Sequence, residues 1–203
     1  MKRFLMITPQ QPTGNLKKNV YEPVGNSRLT YGETSFPIIP TIAAYAEAGE
    51  TVSLVTLTYD YEHCKNNLIA LKNEIDSLSQ TSGITVEVES ILVPFDDSTE
   101  AALNSFSKLI EHIEESDDLY ACLTFGSKPM PLVMMLVLRY ATSVIPNTCL
   151  ECVVYGQIDR SQTEPKAKIY DVTALVQLDE IINLLAMQKT PEPASVIKRL
   201  LEL

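Results

Sequence analysis

Positive charge is scarce in this sequence: 16 Lys and Arg stand against 26 Asp and Glu, for a formal net charge of −10. Polymeric nucleic acid is gripped largely by clustered Lys and Arg, so this balance argues against a broad DNA- or RNA-binding face. A small anionic ligand remains open, because it needs only a local pocket of backbone N–H groups and one cation. Histidine is nearly absent. His63 and His112 both fall on segments that read as solvent-facing helix, and no Ser/His/Asp arrangement or HExxH motif accompanies them, so conventional hydrolase chemistry has little to build on. Cysteine is limited to Cys64, Cys122, Cys149 and Cys152. The Cys149-x-x-Cys152 spacing occurs in redox and zinc sites, but no second such pair and no neighbouring histidine completes one. Long apolar runs are missing as well. The N-terminal "MKRFLMITPQQ" is too short in apolar residues for a signal peptide, and residues 129–138 are too few to span a bilayer. The chain reads as cytoplasmic with reduced thiols, a membrane-attached parent protein being left open. There is no internal repeat and no low-complexity tract.

What is present is a chain of 203 residues, 45% hydrophobic and 21% charged, the profile of one ordinary globular domain. Residues 3–8 ("RFLMIT") read as a buried first strand. A polar stretch with Gly and Asn punctuation follows, read as a hairpin, and then a helix over 34–49, capped by Thr34 or Ser35, distorted at Pro40 and ended by Gly49. Strands are predicted at 51–58, 84–94, 119–126 and 148–156, and helices at 61–83, 96–118 and 129–144. Residues 169–188 give a short strand or turn and another helix. In the helix at 61–83, Leu68, Leu71, Ile75 and Leu78 mark one apolar face. Asp96, Asp97 and Glu100 suit a helix start, whereas Glu111, Glu114, Glu115, Asp117 and Asp118 read as a solvated helix end. Alternation of strand and helix argues for an α/β, Rossmann-like, doubly wound and mainly parallel sheet with helices on both faces. In such folds ligands sit beyond the carboxyl ends of the strands, where strand order reverses.

Two loops that follow predicted strands carry unusual chemistry. In "TFGSKPM", Gly126 allows positive φ or close backbone approach, Ser127 and Thr124 offer hydroxyls, Lys128 a charge, and the helix beginning near Pro129 points amides over the turn. In "TPQQPTGN", Gln10, Gln11, Thr13 and Asn15 offer amide and hydroxyl groups suited to neutral recognition of bases and sugars. Neither loop is a GxGxxG fingerprint or a Walker loop. Taken alone, a plain β–α turn with a solvated lysine and a polar surface loop account for both equally well.

As an ordered set these pieces resemble a known pattern. "TGN" in the first loop, "VPFDDSTEAALNSFSKLIEHI", "LTFGSKPMPLVMMLVLRYA", "VVYGQID" and "IYDVTALVQLDE" together are similar to CARF domains, the CRISPR-associated Rossmann-fold sensors of type III CRISPR systems. The branch most alike has Gly-Asn in its first loop and an Asp/Ser-x-Thr-x-Gly-x-x-x-x-Pro motif after the fourth strand. This chain departs from it with Cys122 where an acid is common and "FGSK" where "HGFR" is common. The resemblance implies a homodimer with a cyclic oligoadenylate, most of all cyclic tetra-adenylate, on its twofold axis. Thr124, Phe125, Gly126, Ser127 and Lys128, with Met130 beside them, would form the floor of the cradle. Thr8, Pro9, Gln10, Thr13, Gly14 and Asn15 would form its walls. Residues 1–188 would be the sensing domain, and 189–203 a linker or short helix leading to an effector domain outside this chain. No cofactor, no metal and no direct DNA or RNA polymer is implied. Two further readings stay open: a stand-alone ring nuclease that degrades the same ligand, and a nucleotide-binding α/β protein unrelated to CRISPR.

Overall fold

The computed structural model describes residues 1–159, 161 and 166–201. Its strands β1 (Lys2–Ile7), β4 (Thr51–Tyr59), β5 (Thr85–Val93), β6 (Asp118–Cys122) and β7 (Cys149–Asp159) run parallel. One edge is extended by β8 (Lys166–Asp171), antiparallel to β7, then β2 (Asn19–Val24), parallel to β8, and β3 (Glu33–Thr34), antiparallel to β2. The resulting eight-stranded order is β3-β2-β8-β7-β6-β1-β4-β5. After β1 the chain first forms β2 and β3 at the far edge, returns beside β1 for β4 and winds outward to β5, then crosses to the other flank of β1 for β6 and β7. Strand order therefore reverses between β1 and β6, and a crevice is expected at their carboxyl ends. This is the α/β, Rossmann-like, doubly wound and mainly parallel architecture that the alternation predicts.

β1 reads as a continuous apolar run because both its faces are covered. Phe4 and Met6 join Ile38, Ile42, Leu71 and Ile75 in one core cluster, on the side of helices α1 (Ile38–Tyr45) and α2 (Glu62–Ser82). Leu5 and Ile7 alternate to the other face, which α3 (Thr99–Ile110) and α4 (Met130–Val144) cover as a packed pair. α2 buries Cys64, Asn67, Leu71, Ile75 and Leu78 and stops at Gly83, whose left-handed φ of 73° suits glycine.

Several local expectations are corrected. α1 begins only at Ile38, and neither Thr34 nor Ser35 caps it. The Thr34 hydroxyl instead donates to Glu74 Oε2 at 2.6 Å and accepts the Phe36 N–H at 3.0 Å. Pro40 lies in the first turn, where its missing N–H has no intrahelical partner to lose, and the helix ends at Tyr45 rather than Gly49. The polar stretch after β1 does pair β2 with β3, but β2 also enters the main sheet. The acidic run after α3 is a solvated face only in part: Glu111, Glu114 and Glu115 are exposed, whereas Asp117 is buried. α3 stops at Ile110, and Asp117 is 1% exposed, with Arg3 Nε at 2.5 Å from its Oδ2 and the N-terminal ammonium at 3.3 Å from its Oδ1. A buried carboxylate is tolerated there because it is paired. All four cysteines are free; Cys149 is exposed and Cys152 fully buried.

The chain divides into two compact units, Met1–Thr173 and Ala174–Leu203. The second holds α5 (Thr173–Met187) beyond its first residue and α6 (Pro193–Leu201), with an apolar groove between them lined by Ile182, Leu185, Ala186 and Ile197. Among the described residues no helix is long and apolar enough to cross a membrane.

Asp171 closes the first unit. Its Oδ1 accepts the Thr173 N–H at 3.0 Å and the Thr173 hydroxyl at 2.5 Å, and its Oδ2 accepts Asn26 Nδ2 at 2.8 Å. Burial pushes this carboxyl up, but the Thr173, Asn26 and Cys152 donors together outweigh it, so its pKa is lowered in the folded chain. Such a group stabilises fully above its unfolded pKa of about 3.9 and loses that contribution as pH falls through the lower folded value. Unfolding free energy measured against pH is expected to drop below about pH 4, and Asp171→Asn to flatten part of that acid limb. An identical acid limb in the variant would contradict the assignment.

Candidate functional site

The loop after β1 is held down by one side chain. Asn67 is fully buried on α2 and donates both Nδ2 hydrogens, to the carbonyls of Pro9 and Gln11 at 2.8 Å each. Its Oδ1 accepts the Thr13 hydroxyl at 2.6 Å. A buried amide so fully paired selects one loop conformation. Thr13–Asn15 then form a single 3-10 turn, with the Asn15 N–H on the Pro12 carbonyl. Thr8 is fully buried below, its hydroxyl 2.8 Å from that of Thr58, which Ser90 Oγ also reaches at 2.9 Å. Gln10 Nε2 is buried with no hydrogen-bond partner among the described residues.

The loop after β6 is shaped by two glycines. Gly126 has φ +109°, and a Cβ there would stand 3.0 Å from Met130 Cβ and 3.1 Å from Ile7 Cγ2, so both conformation and space require glycine. Gly156 of β7 is needed for space alone: a Cβ would lie 2.3 Å from Pro37 Cγ, because α1 starts directly against the strand. The Gly156 N–H donates to Thr124 Oγ1 at 2.8 Å, and the Cys122 thiol donates to the same oxygen at 3.2 Å. With two donors already on its oxygen, the Thr124 hydroxyl has its own hydrogen left to give.

The start of α4 offers fewer amides than the sequence suggests. Pro129 and Pro131 carry no N–H, Met130 N–H binds the Ser127 carbonyl at 3.0 Å, and Leu132 and Val133 N–H bind the Pro129 carbonyl at 3.0 and 3.2 Å. An anion over this turn would meet chiefly the charge of the exposed Lys128. Ser127 Oγ is occupied by Tyr59 OH at 3.1 Å.

Between the two loops lies a cleft of about 270 Å³. Gln11, Asn15 and Lys17 line it from the first loop, Thr124 and Phe125 from the second, with Tyr21 of β2 and Gly156 of β7. Burial, followed by the neighbouring Cys122 and Glu74, pushes the Tyr21 phenol up to about 12, so it faces the cleft as a neutral donor and acceptor. Phe125 is braced edge-on by Phe36, centroids 6.3 Å apart. The cleft thus combines neutral donors and acceptors, an aromatic ring and one lysine, a set suited to a base, a sugar and a phosphate.

Of the residues singled out from the sequence, Gln11, Asn15, Thr124 and Phe125 line the cleft. Pro9 and Thr13 shape it through Asn67, Thr8 and Met130 are buried, and Gly14 is exposed. Gly126, Ser127 and Lys128 stand outside its lining, and the Ser127 hydroxyl reaches Tyr59. Sequence reasoning missed Asn67, Lys17, Tyr21 and Gly156. A signal for Asn67 existed: it falls on the helical stripe of Cys64, Leu71, Ile75 and Leu78.

Compared with known proteins, the chain matches no protein-family model and no curated sequence.

Proposed function

We propose that this chain is a sensor of type III CRISPR antiviral defence that binds a cyclic oligoadenylate, preferentially cyclic tetra-adenylate, as a homodimer controlling an effector. The observation that carries the reading is the cleft itself. It lies beside the reversal of strand order, between the two loops whose sequences resemble those of CARF domains. On this reading Asn15 and Gln11 hydrogen-bond a base edge, Phe125 contacts its face, the free hydrogen of Thr124 goes to a ribose or phosphate oxygen, and Lys17 meets a phosphate.

Size supports the dimer. At about 270 Å³ the cleft is smaller than the roughly 300–1,000 Å³ typical of sites that enclose a whole small ligand. A symmetric ring shared by two identical clefts suits an isologous pair. The acidic composition, with net charge −10, favours a compact ring over a nucleic-acid polymer. Incubation with cyclic tetra-adenylate, cyclic hexa-adenylate and linear tetra-adenylate, reading both retention and ligand mass, tests the proposal. Retention of the cyclic tetramer at unaltered mass is expected. Equal retention of the linear form would sink the cradle, and a linearised product would make the chain a ring nuclease.

A further inference from the structure

An aromatic cluster sits beyond the carboxyl ends of β4 and β5, outside the cleft. Phe95, in the loop after β5, is 56% exposed, and Tyr61, in the loop after β4, is 37% exposed. Their rings stack at 4.9 Å and 24°. Tyr59 meets Phe95 edge-on at 5.5 Å, and His63 meets Tyr61 edge-on at 5.0 Å. These braces hold two loop-tip rings in place while leaving much of them in water, which burial alone does not reward.

The surroundings narrow what such rings can take. Tyr59, 1% exposed, anchors the cluster in the sheet, and its hydroxyl reaches Ser127, next to Lys128. Lys128 forms no ion pair among the described residues. Asp60 and Asp96 flank the rings; Lys65 pairs with the first at 2.5 Å and Ser98 hydrogen-bonds the second at 2.8 Å. Carboxylates beside the rings repel a phosphate, so the ring faces suit an uncharged planar group, and the phosphate attached to it is drawn to the lysine. A nucleotide has both parts. Base–aromatic stacking is tolerant of sequence and strong enough to matter, at about five- to a hundredfold in affinity per base.

We propose that Tyr61 and Phe95 form a nucleobase-stacking platform, a second base position outside the cleft, with the attached phosphate against Lys128. This deepens the oligoadenylate reading and rests on it. It also gives Lys128 a role that the cleft lining does not.

The test uses the whole chain and the variants Phe95→Leu, which keeps apolar bulk but removes the π-face, and Phe95→Tyr, which restores it. Phe95 is exposed on a loop, so melting temperature serves as the folding control. Titration with cyclic tetra-adenylate should show Phe95→Leu about tenfold weaker than wild type, and Phe95→Tyr near wild type. In saturation-transfer NMR, the base protons of AMP should receive saturation from wild type and lose the platform's share of it with Phe95→Leu, the share owed to the cleft remaining. A ring bound equally by wild type and Phe95→Leu, with AMP saturation unchanged, overturns the platform and leaves the oligoadenylate reading standing. Phe95-dependent AMP saturation in a chain that ignores the ring supports the platform and overturns the sensor reading. Binding of neither ligand overturns both.

Discussion

Asn67→Ala is expected to lower unfolding free energy by about 3 kcal/mol, a fall of about 6–12 °C in Tm, and to weaken ligand binding at least tenfold. The side chain is fully buried and makes three hydrogen bonds with one loop, donating two and accepting one. Alanine leaves the Pro9 and Gln11 carbonyls and the Thr13 hydroxyl without that partner. Each buried group so orphaned costs about 1–3 kcal/mol, reduced to the extent that the loop swings out to water. That relaxation stabilises the variant fold at the expense of the site: Gln11, Asn15 and Lys17 no longer hold their positions, and a ligand has to order them again on binding. Asn67→Asp separates the two effects. It retains the acceptor for Thr13 and loses both donors, setting carboxylate oxygens against two carbonyls, so it should be at least as harmful as alanine despite its near-identical shape. Thermal unfolding and a ligand titration on both variants check this. An Asn67→Ala chain that melts and binds like wild type would show that the loop is held by something else.

Gly156→Ala is the second large effect, expected at about 3 kcal/mol or more, at or beyond the upper end of ordinary overpacking. The added Cβ would lie 2.3 Å from Pro37 Cγ and 3.0 Å from Pro37 Cβ. A proline ring cannot rotate away as a flexible side chain can, and Pro37 sits at the start of α1, whose residues Ile38, Ile39 and Ile42 are core. Relief therefore needs a backbone shift. Either α1 lifts from β7 or the strand moves, and the second route breaks the 2.8 Å bond from the Gly156 N–H to Thr124. Loss of that bond would release the Thr124 hydroxyl from its present orientation. Gly14→Ala is the contrasting control, since a Cβ there meets nothing within 4 Å. Equal melting temperatures for Gly156→Ala and Gly14→Ala would contradict the packing argument.

Much of the architecture was legible because burial leaves a period in the sequence. β1, α2 and α4 announce themselves through apolar runs or a 3.6-residue stripe, and the two loops chosen for their chemistry do flank the point where strand order reverses. β2 was read only as a hairpin strand; its place in the main sheet escaped because it alternates only weakly and carries Pro23, which ordinarily argues against a strand inside a sheet, although here Pro23 pairs in parallel register with Ile169. β8 was legible only from Ile169 on, as a short strand or turn; its first half escaped because lysines fill the side it turns to water. The acidic stretch misled because its one buried member, Asp117, is paired with Arg3, 114 residues away in sequence, a partner that no local pattern reveals.

The site was less legible than the fold for a related reason. Chemistry-bearing residues were sought in the loops themselves, where Lys128 and Ser127 are prominent. The cleft is instead shaped by residues on neighbouring elements: Asn67 from a helix, Tyr21 and Gly156 from strands, and Pro37 from the start of another helix. Their importance is spatial, and composition carries little trace of it. Gly156 is the partial exception, since a glycine within a strand is itself a sign of close approach.

The most direct measurement is a calorimetric titration of the whole chain with cyclic tetra-adenylate, run beside linear tetra-adenylate, with the mass of the complex read by light scattering. The expected result is saturation at one ring per two chains, a complex of dimer mass, and affinity for the ring well above that for the linear form. Saturation at one ring per chain with a monomer mass, or no heat with either ligand, would contradict the proposal that two copies of this cleft share one cyclic oligoadenylate.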